Sequence, residues 1–177
     1  MNPTVEIRPL RQEVSIREIT ALLHAAYAPL AAMGFRYLAT HQDDATTARR
    51  LHAGFPLVAE CAGTIVGTFT LFAPDPHSDC IWYRQPGVFT FGQYAVRPPF
   101  QCLGIGSRLI SCVEALARAH GALELALDTS EGAAHLIRWY QKRGYRFTDT
   151  VSWDDTNYRS VILSKTLAGR AGVPLIS

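Results

Sequence analysis

The stretch "FGQYAVRPPFQCLGIGSRLISCVEALARAHG", Phe91 to Gly121, constrains this chain more than any other. An apolar run without a charge ends at two prolines, Pro98 and Pro99. "QCLGIG" follows, and then Leu109, Ile110, Val113, Leu116 and Ala117 recur at helical spacing. This order sets a glycine-rich turn between a strand and a helix. Glycines let the backbone come close and adopt positive φ, so successive N–H groups can point at one anion. A helix opening near Ser107 adds the positive end of its dipole. A pyrophosphate suits such a cradle, and a tight turn that holds no ligand is the plainer alternative.

Three phosphate loops can be compared with it. A P-loop needs GxxxxGK[ST], and no Lys follows Gly106. A dinucleotide fingerprint needs a third glycine where Leu109 stands. The pattern [Q/R]xxGx[G/A], directly after a strand and opening a helix, is met by Gln101, Gly104 and Gly106.

The rest of the chain frames that turn. "TVEIRPL" alternates as a strand, and "SIRE" has the form of a capping box with Ser15 as N-cap and Glu18 three residues on. A helix follows, to be stopped or kinked by Pro29. A second helix, over "DDATTARRLHAG", is capped by Asp43 or Asp44. "FPLVAECAGTIVGTFTLF" reads as a hairpin turning at Ala62-Gly63, and Ala73 to Gly87 as a long loop. After the glycine turn come a strand "LELALD", a helix "AAHLIRWYQKRG" and a hairpin from "YRFTDTVSW" to "YRSVILSKTL". The expected order is β-α-α-β-β-β-α-β-α-β-β. The central strand-helix-strand unit makes one right-handed crossover and so one parallel pair. The fold class is therefore α/β (α+β): a mixed, mostly antiparallel sheet of about 6–7 strands with helices on both faces. We expect one domain over 1–167 and a C-terminal tail over 168–177.

Composition narrows the function classes. A net charge of +2 makes no electrostatic case for nucleic acid or an anionic membrane. No apolar run approaches the roughly 18 to 20 residues of a membrane helix, and "MNPTVEIRPL" lacks the form of a signal peptide. The expectation is a soluble, cytoplasmic protein. Cys61, Cys80, Cys102 and Cys112 form no CxxC and no metal-ligand spacing with the histidines, so no metal is expected.

Two segments carry a family resemblance. "YAVRPPFQCLGIG" resembles the strand and pyrophosphate loop of the GNAT superfamily of acyl-CoA-dependent N-acetyltransferases, and "LIRWYQKRGYRF" resembles its later helix-strand motif. The likeness runs over most of the chain, from Val5 to Leu167, and is strongest from Phe91 to Phe147. It implies a GNAT fold whose central parallel pair is splayed, with acetyl-CoA as cofactor. Backbone groups of Tyr94, Ala95 and Val96 would meet the acetyl carbonyl and pantetheine, the Tyr94 N–H polarising the thioester. Gln101, Cys102, Leu103, Gly104, Ile105, Gly106 and Ser107 would hold the pyrophosphate. Gln101 stands where the family often has Arg and gives up one positive charge. Tyr140 matches the tyrosine that hydrogen-bonds the CoA sulfur and can protonate the leaving thiolate. Ala133 stands where the family frequently has an Asn on the CoA-facing side. A contact to the cofactor is therefore lost there, or replaced through Thr129 or Ser130.

The base and the acceptor site are less directly marked. Some relatives carry a Glu early in the splayed strand, but "VFTFGQYAV" has no carboxylate and Thr90 is nearest to that place. Asp128, ending "LELALD" beside the split, is the first candidate, ahead of His77, Asp79, His41, Glu60 and His135. As a loop carboxylate or helix cap it would need no catalytic role. The acceptor pocket would draw on Tyr27, Tyr83, Asp128 and Tyr158, within a wider aromatic set of Phe35, Tyr37, Trp82 and Trp153. Few acidic residues accompany them, which favours a small amine with an apolar portion over a polyamine. The expected activity is acetyl transfer to a primary amine of a small molecule, with a homodimer allowed. A non-catalytic acyl-CoA sensor on the same fold is the alternative.

Overall fold

The computed structural model describes residues 4–167. In chain order its elements are β1 (Val5–Pro9), α1 (Ile16–Ala32), α2 (Asp44–His52), β2 (Phe55–Cys61), β3 (Thr64–Phe72), β4 (Val88–Val96), α3 (Ile105–Ala119), β5 (Glu124–Ser130), α4 (Ala134–Gln141), β6 (Arg146–Ser152) and β7 (Arg159–Thr166). The order is the one the residue pattern predicts. The loop after β3 also holds a short 3-10 turn over Ile81–Arg84. The expected tail over 168–177 lies outside the described residues.

Seven strands form one sheet in the order β1-β2-β3-β4-β5-β7-β6. Only β4 and β5 run parallel, and they pair over just three positions, from Val88↔Glu124 to Thr90↔Ala126. Beyond Thr90 the two strands part. On its other edge β4 stays joined to β3, but with a bulge. Thr68 faces Ala95 and Thr70 faces Gly92, so Gln93 and Tyr94 together oppose one residue of β3. Gln93 takes φ 50 to do so, an uncommon conformation for a side-chain-bearing residue. The bulge turns the second half of β4 away from β5 and opens the sheet at its centre.

Helices cover both faces. On one face α1 and α2 bury Ile19, Leu22, Leu23 and Leu51 against Val58, Ile65 and Ala95, all of them at or near zero exposure. Burial of each such large aliphatic side chain is worth about 1.5–3 kcal/mol. On the other face α3 sets Ile105, Leu109, Ile110, Val113 and Ala117 on Val66, Phe69 and Phe91, joined by Tyr140 and Tyr145. No helix among the described residues is long and apolar enough to cross a membrane.

Several local expectations change. Ser15 occupies the N-cap position of α1, but its side chain makes no cap bond. Glu18 turns outward to the sheet, accepting from the Ile65 N–H at 3.4 Å and pairing with Arg97 at 3.8 Å. Pro29 does not end α1, which runs on to Ala32. α3 begins two residues before Ser107, with Gly104 at its N-cap. Asp43 rather than Asp44 caps α2, accepting from the Thr46 N–H at 2.7 Å.

Candidate active site

Because β4 and β5 separate, a cavity of about 640 Å³ runs through the sheet. It meets Gln101, Cys102, Gly106, Trp139 and Tyr140 on the α3–α4 side, and Tyr27, Arg50, Asp128, Trp153 and Tyr158 toward α1, α2 and the β6–β7 turn. The backbone of β4 from Phe91 to Val96 forms its wall. An extended chain such as pantetheine could lie along that wall as an added strand, since β5 no longer pairs there.

The loop between β4 and α3 leads directly into the exposed N–H groups of a helix start. Arg97 closes the strand by donating its N–H to the Val66 carbonyl at 2.8 Å, and Pro98–Phe100 form a 3-10 turn. Cys102 and Gly104 both take positive φ, 61 and 80 respectively. The Gly104 conformation is one that glycine adopts without strain. It delivers the chain into the first turn of α3, whose N–H groups have no partner within the helix. Gln101 spends its side-chain amide on the Val96 carbonyl, at 2.9 Å, so its role is to fix the loop. Leu103 is exposed, and Ile105 packs its side chain into the core, which leaves only their backbone for a ligand. Ser107 Oγ accepts from Arg143 Nη2 at 2.8 Å, and the same guanidinium lies 3.4 Å from the Trp139 ring centroid. Arg143 thus restores at the loop the positive charge that Gln101 lacks.

Tyr140 stands on the cavity wall among aromatic rings, 5.0 Å from Trp139, 5.7 Å from Tyr145 and 6.3 Å from Phe91 between centroids. Burial raises its pKa well above the usual phenol value, with the neighbouring tyrosines adding to the effect. It therefore stays a neutral O–H donor at neutral pH. Among the described residues no side chain hydrogen-bonds its hydroxyl, so that proton is free for a ligand. Tyr94 lies beside it, donating its own hydroxyl to the Gly106 carbonyl at 2.7 Å and tying the bulge to the helix start. From the opposite side Tyr27 donates to the Tyr94 carbonyl at 3.1 Å, bridging α1 to the bulge.

Asp128 is half-buried on the acceptor side. Its Oδ2 accepts from Trp153 Nε1 at 3.1 Å and from Ser160 Oγ at 2.9 Å. Its Oδ1 has no partner among the described residues. Burial pushes its pKa above the ordinary value of 3.8, although Ser160, Trp153 and Arg50 pull the other way. A carboxylate held this way binds a proton more readily than an exposed one, which suits a base.

The remaining candidates sort by position. Tyr27, Tyr37, Trp153, Tyr158 and His135 line the cavity. Tyr37 and Tyr158 pack with ring centroids 4.8 Å apart, and Phe35 backs both of them. Tyr83 does not reach this cavity. It is buried with Cys80, Val88, Ala126 and Ile162 and borders a separate cleft of about 410 Å³ that also meets Thr90. The 3-10 turn at Ile81–Arg84 tucks Tyr83 beneath the sheet, where it stacks on Trp153. Glu60 is paired with Arg8, and His41, His77 and Asp79 lie outside the cavity lining. Of the two residues that could replace an Asn at position 133, Thr129 lines the cavity and Ser130 does not. Thr129 bonds the Tyr37 hydroxyl at 2.9 Å, Ser130 Oγ accepts from the Gly132 N–H, and Ala133 itself is sealed against Leu30 and Tyr37.

Comparison with known proteins places this architecture. The model of the Acetyltransferase (GNAT) family matches residues 18–145. The chain belongs to the GNAT acetyltransferase family. It is 27% identical over 150 residues to an S-(2-succino)cysteine N-acetyltransferase of Bacillus subtilis (strain 168), covering 82% of this chain and 85% of that one. Among solved structures it is similar to a GCN5-related N-acetyltransferase from Rhodopseudomonas palustris, at 28% identity and a TM-score of 0.70, over 94% of this chain and 99% of that one. It also shares its fold with a GNAT family acetyltransferase from Elizabethkingia anophelis with acetyl-CoA bound. There the identity is 19% and the TM-score 0.66, over 92% of this chain and 98% of the other. Family and named relative together make this chain an acyltransferase.

Proposed function

We propose that this GNAT protein moves an acetyl group from acetyl-CoA to a primary amine of a small molecule by direct attack on the thioester. The observation that carries the reading is one cavity that joins a neutral, unpaired Tyr140 hydroxyl to the free Oδ1 of Asp128 through the split between β4 and β5. Acetyl-CoA supplies the activated acetyl group. Residues Gln101–Ser107, with Arg143 behind them, hold its pyrophosphate, and the backbone of Tyr94, Ala95 and Val96 lies along pantetheine. The Tyr94 N–H meets the acetyl carbonyl. Asp128 takes a proton from the incoming ammonium, directly or through one water, and the freed amine bonds the acetyl carbon as the C–S bond breaks. Tyr140 gives its proton to the departing sulfur, and the nitrogen's second proton returns to the phenolate. Tyr27 and Tyr158 shape the acceptor side. The Bacillus relative, an N-acetyltransferase by name, supports an amine acceptor of small size.

The test is acetyl-CoA turnover against a panel of small primary amines, with Tyr140→Phe alongside. Turnover in the wild type that falls about 100-fold in the variant supports the reading. Equal turnover in both removes Tyr140 from the reaction, and an acetyl-CoA that neither binds nor reacts overturns the whole proposal.

A further inference from the structure

The acceptor side of the cavity contains a cation that the transfer chemistry leaves unused. Arg50, in the last turn of α2, is half-buried and lines the cavity, and among the described residues no carboxylate pairs with it. A partly buried guanidinium normally finds an anion, because taking it from water without one is costly. Here it is held by a neutral group instead. Arg50 Nη1 donates to Gln42 Oε1 at 2.8 Å. Gln42 is 2% exposed, and its own amide donates to Thr47 Oγ1 at 2.6 Å. Thr47 Oγ1 donates in turn to the Asp43 carbonyl at 3.0 Å, and Thr20 Oγ1 lies 2.9 Å from it. This chain of bonds fixes the guanidinium from behind and leaves its other donors facing the cavity.

The sheet makes room for it. A Cβ at Gly92 would come within 3.1 Å of Arg50 Nη2, so the missing side chain lets the guanidinium lie against β4 just before the bulge. The next residue, Gln93, also lines the cavity and is 2% exposed. Its Oε1 accepts from Thr70 Oγ1 at 2.9 Å, while its Nε2 is buried without a partner. One wall thus carries an amide N–H without an acceptor and a guanidinium whose one acceptor is neutral. The other charged groups on the cavity are Asp128 and the exposed Asp155, with His135 on the cofactor side. Arg50 feels both carboxylates across the cavity without touching either. The site is thus bipolar: cationic at α2 and β4, anionic at β5 and the β6–β7 turn.

We propose that Arg50 receives the carboxylate of an acceptor amino acid, with the Gln93 amide as second donor, while the acceptor's ammonium faces Asp128. This inference rests on the acetyl-transfer reading above and names its substrate class: zwitterionic α-amino acids carrying an apolar side chain that packs among Tyr27, Tyr37 and Tyr158. Asp128 supplies the base, and Arg50 supplies the selection.

The experiment offers a panel of α-amino acids as free acids and as carboxamides to wild type, Arg50→Gln and Arg50→Lys. It reads kcat/KM for each acid and its amide, the acetyl-CoA KM, and the melting temperature of every protein. Wild type is expected to favour the best acid over its amide by about 10- to 100-fold, the range of a charge-assisted hydrogen bond. Arg50→Gln should bring the ratio to within about threefold by raising the KM for the acid, with the acetyl-CoA KM unchanged. Arg50→Lys, which keeps a charge without the fork, should retain part of the preference and guards against a folding defect in the Gln variant. Amides acetylated as well as acids, or an unchanged ratio in Arg50→Gln, overturn the carboxylate site and leave acetyl transfer standing. If no member of this panel is acetylated while other primary amines are, the amino-acid site fails alone; if no primary amine of any kind is acetylated, both readings fail.

Discussion

At Tyr140 and Asp128 burial shifts proton affinity in the same upward direction, with opposite uses. The phenol stays a protonated donor at neutral pH, and the carboxylate becomes a better acceptor. Tyr140→Phe removes only a hydroxyl that no side chain binds. It is expected to lower kcat about 100-fold while the melting temperature stays within about 2 °C, measured by steady-state kinetics and thermal unfolding. For Asp128 the linkage has a definite sign. Its folded pKa lies above the unfolded one, so the folded state holds the proton more tightly. The stability this contributes is complete below the unfolded value of 3.8 and is lost as pH rises through the raised folded value. At pH 7 the carboxylate therefore costs stability. Asp128→Asn should melt at or above the wild-type temperature at pH 7, with that advantage fading toward acid, and should lose about 100-fold or more in kcat/KM. A variant that keeps its activity removes Asp128 from the role of base, and one that melts lower at pH 7 shows that its hydrogen bonds outweigh the cost of burial. In wild type the acid limb of the pH–rate profile should fall above the ordinary carboxylate range.

Two elements, the bulge in β4 and the turn into α3, convert an ordinary sheet into a site. The turn could be read from residues, because Gln101, Gly104 and Gly106 stand at fixed spacing between an uncharged strand and an amphipathic helix. The bulge could not. Gln93 adopts left-handed backbone in the middle of a strand pattern, against its local preference, and is held there by Thr70 and the packing of Tyr94 on α3. Arg143 was illegible for a similar reason. It follows the end of α4 in a run with Lys142 that reads as a solvated face, yet its bond to Ser107 spans 36 residues. Tyr83 misled in the other direction, since nothing local distinguishes an aromatic in a loop that lines a cavity from one turned under the sheet. Arg143→Ala is expected to raise the acetyl-CoA KM about 3- to 10-fold with kcat within about twofold, as for an exposed charge-assisted contact to a phosphate loop. Loss of kcat without a change in KM would instead assign Arg143 to the transfer step.

On the scale of the whole molecule, the cavity joins the two helical layers that the sheet otherwise separates. The α3–α4 face supplies the glycine turn and Tyr140, and the α1–α2 face supplies Tyr27 and Arg50. A ligand that fills the split would complete the pairing that β4 and β5 abandon after Thr90. CoA at about 100 times its Kd should then stabilise the native state by about 2.7 kcal/mol, a rise of about 5–10 °C in melting temperature for a domain of this size. The absence of any shift at saturating CoA would contradict the cofactor assignment. At a fixed CoA concentration the rise should be smaller for Arg143→Ala.

Residue order alone settles what depends on near neighbours: the succession of strands and helices, the turn at Ala62-Gly63, the glycine turn into α3, and the likeness that set Tyr140 in a known motif. Hydrophobic period and turn chemistry act over a few residues, and these features are written at that range. That Arg50, Asp128 and Tyr140 share one cavity, and that Tyr83 does not, follows from the three-dimensional packing alone. Those residues lie on α2, β5 and α4, at no spacing a local rule could recognise. Their meeting depends on where β4 stops pairing with β5, and that point is set by a strained bulge held in place from both faces of the sheet.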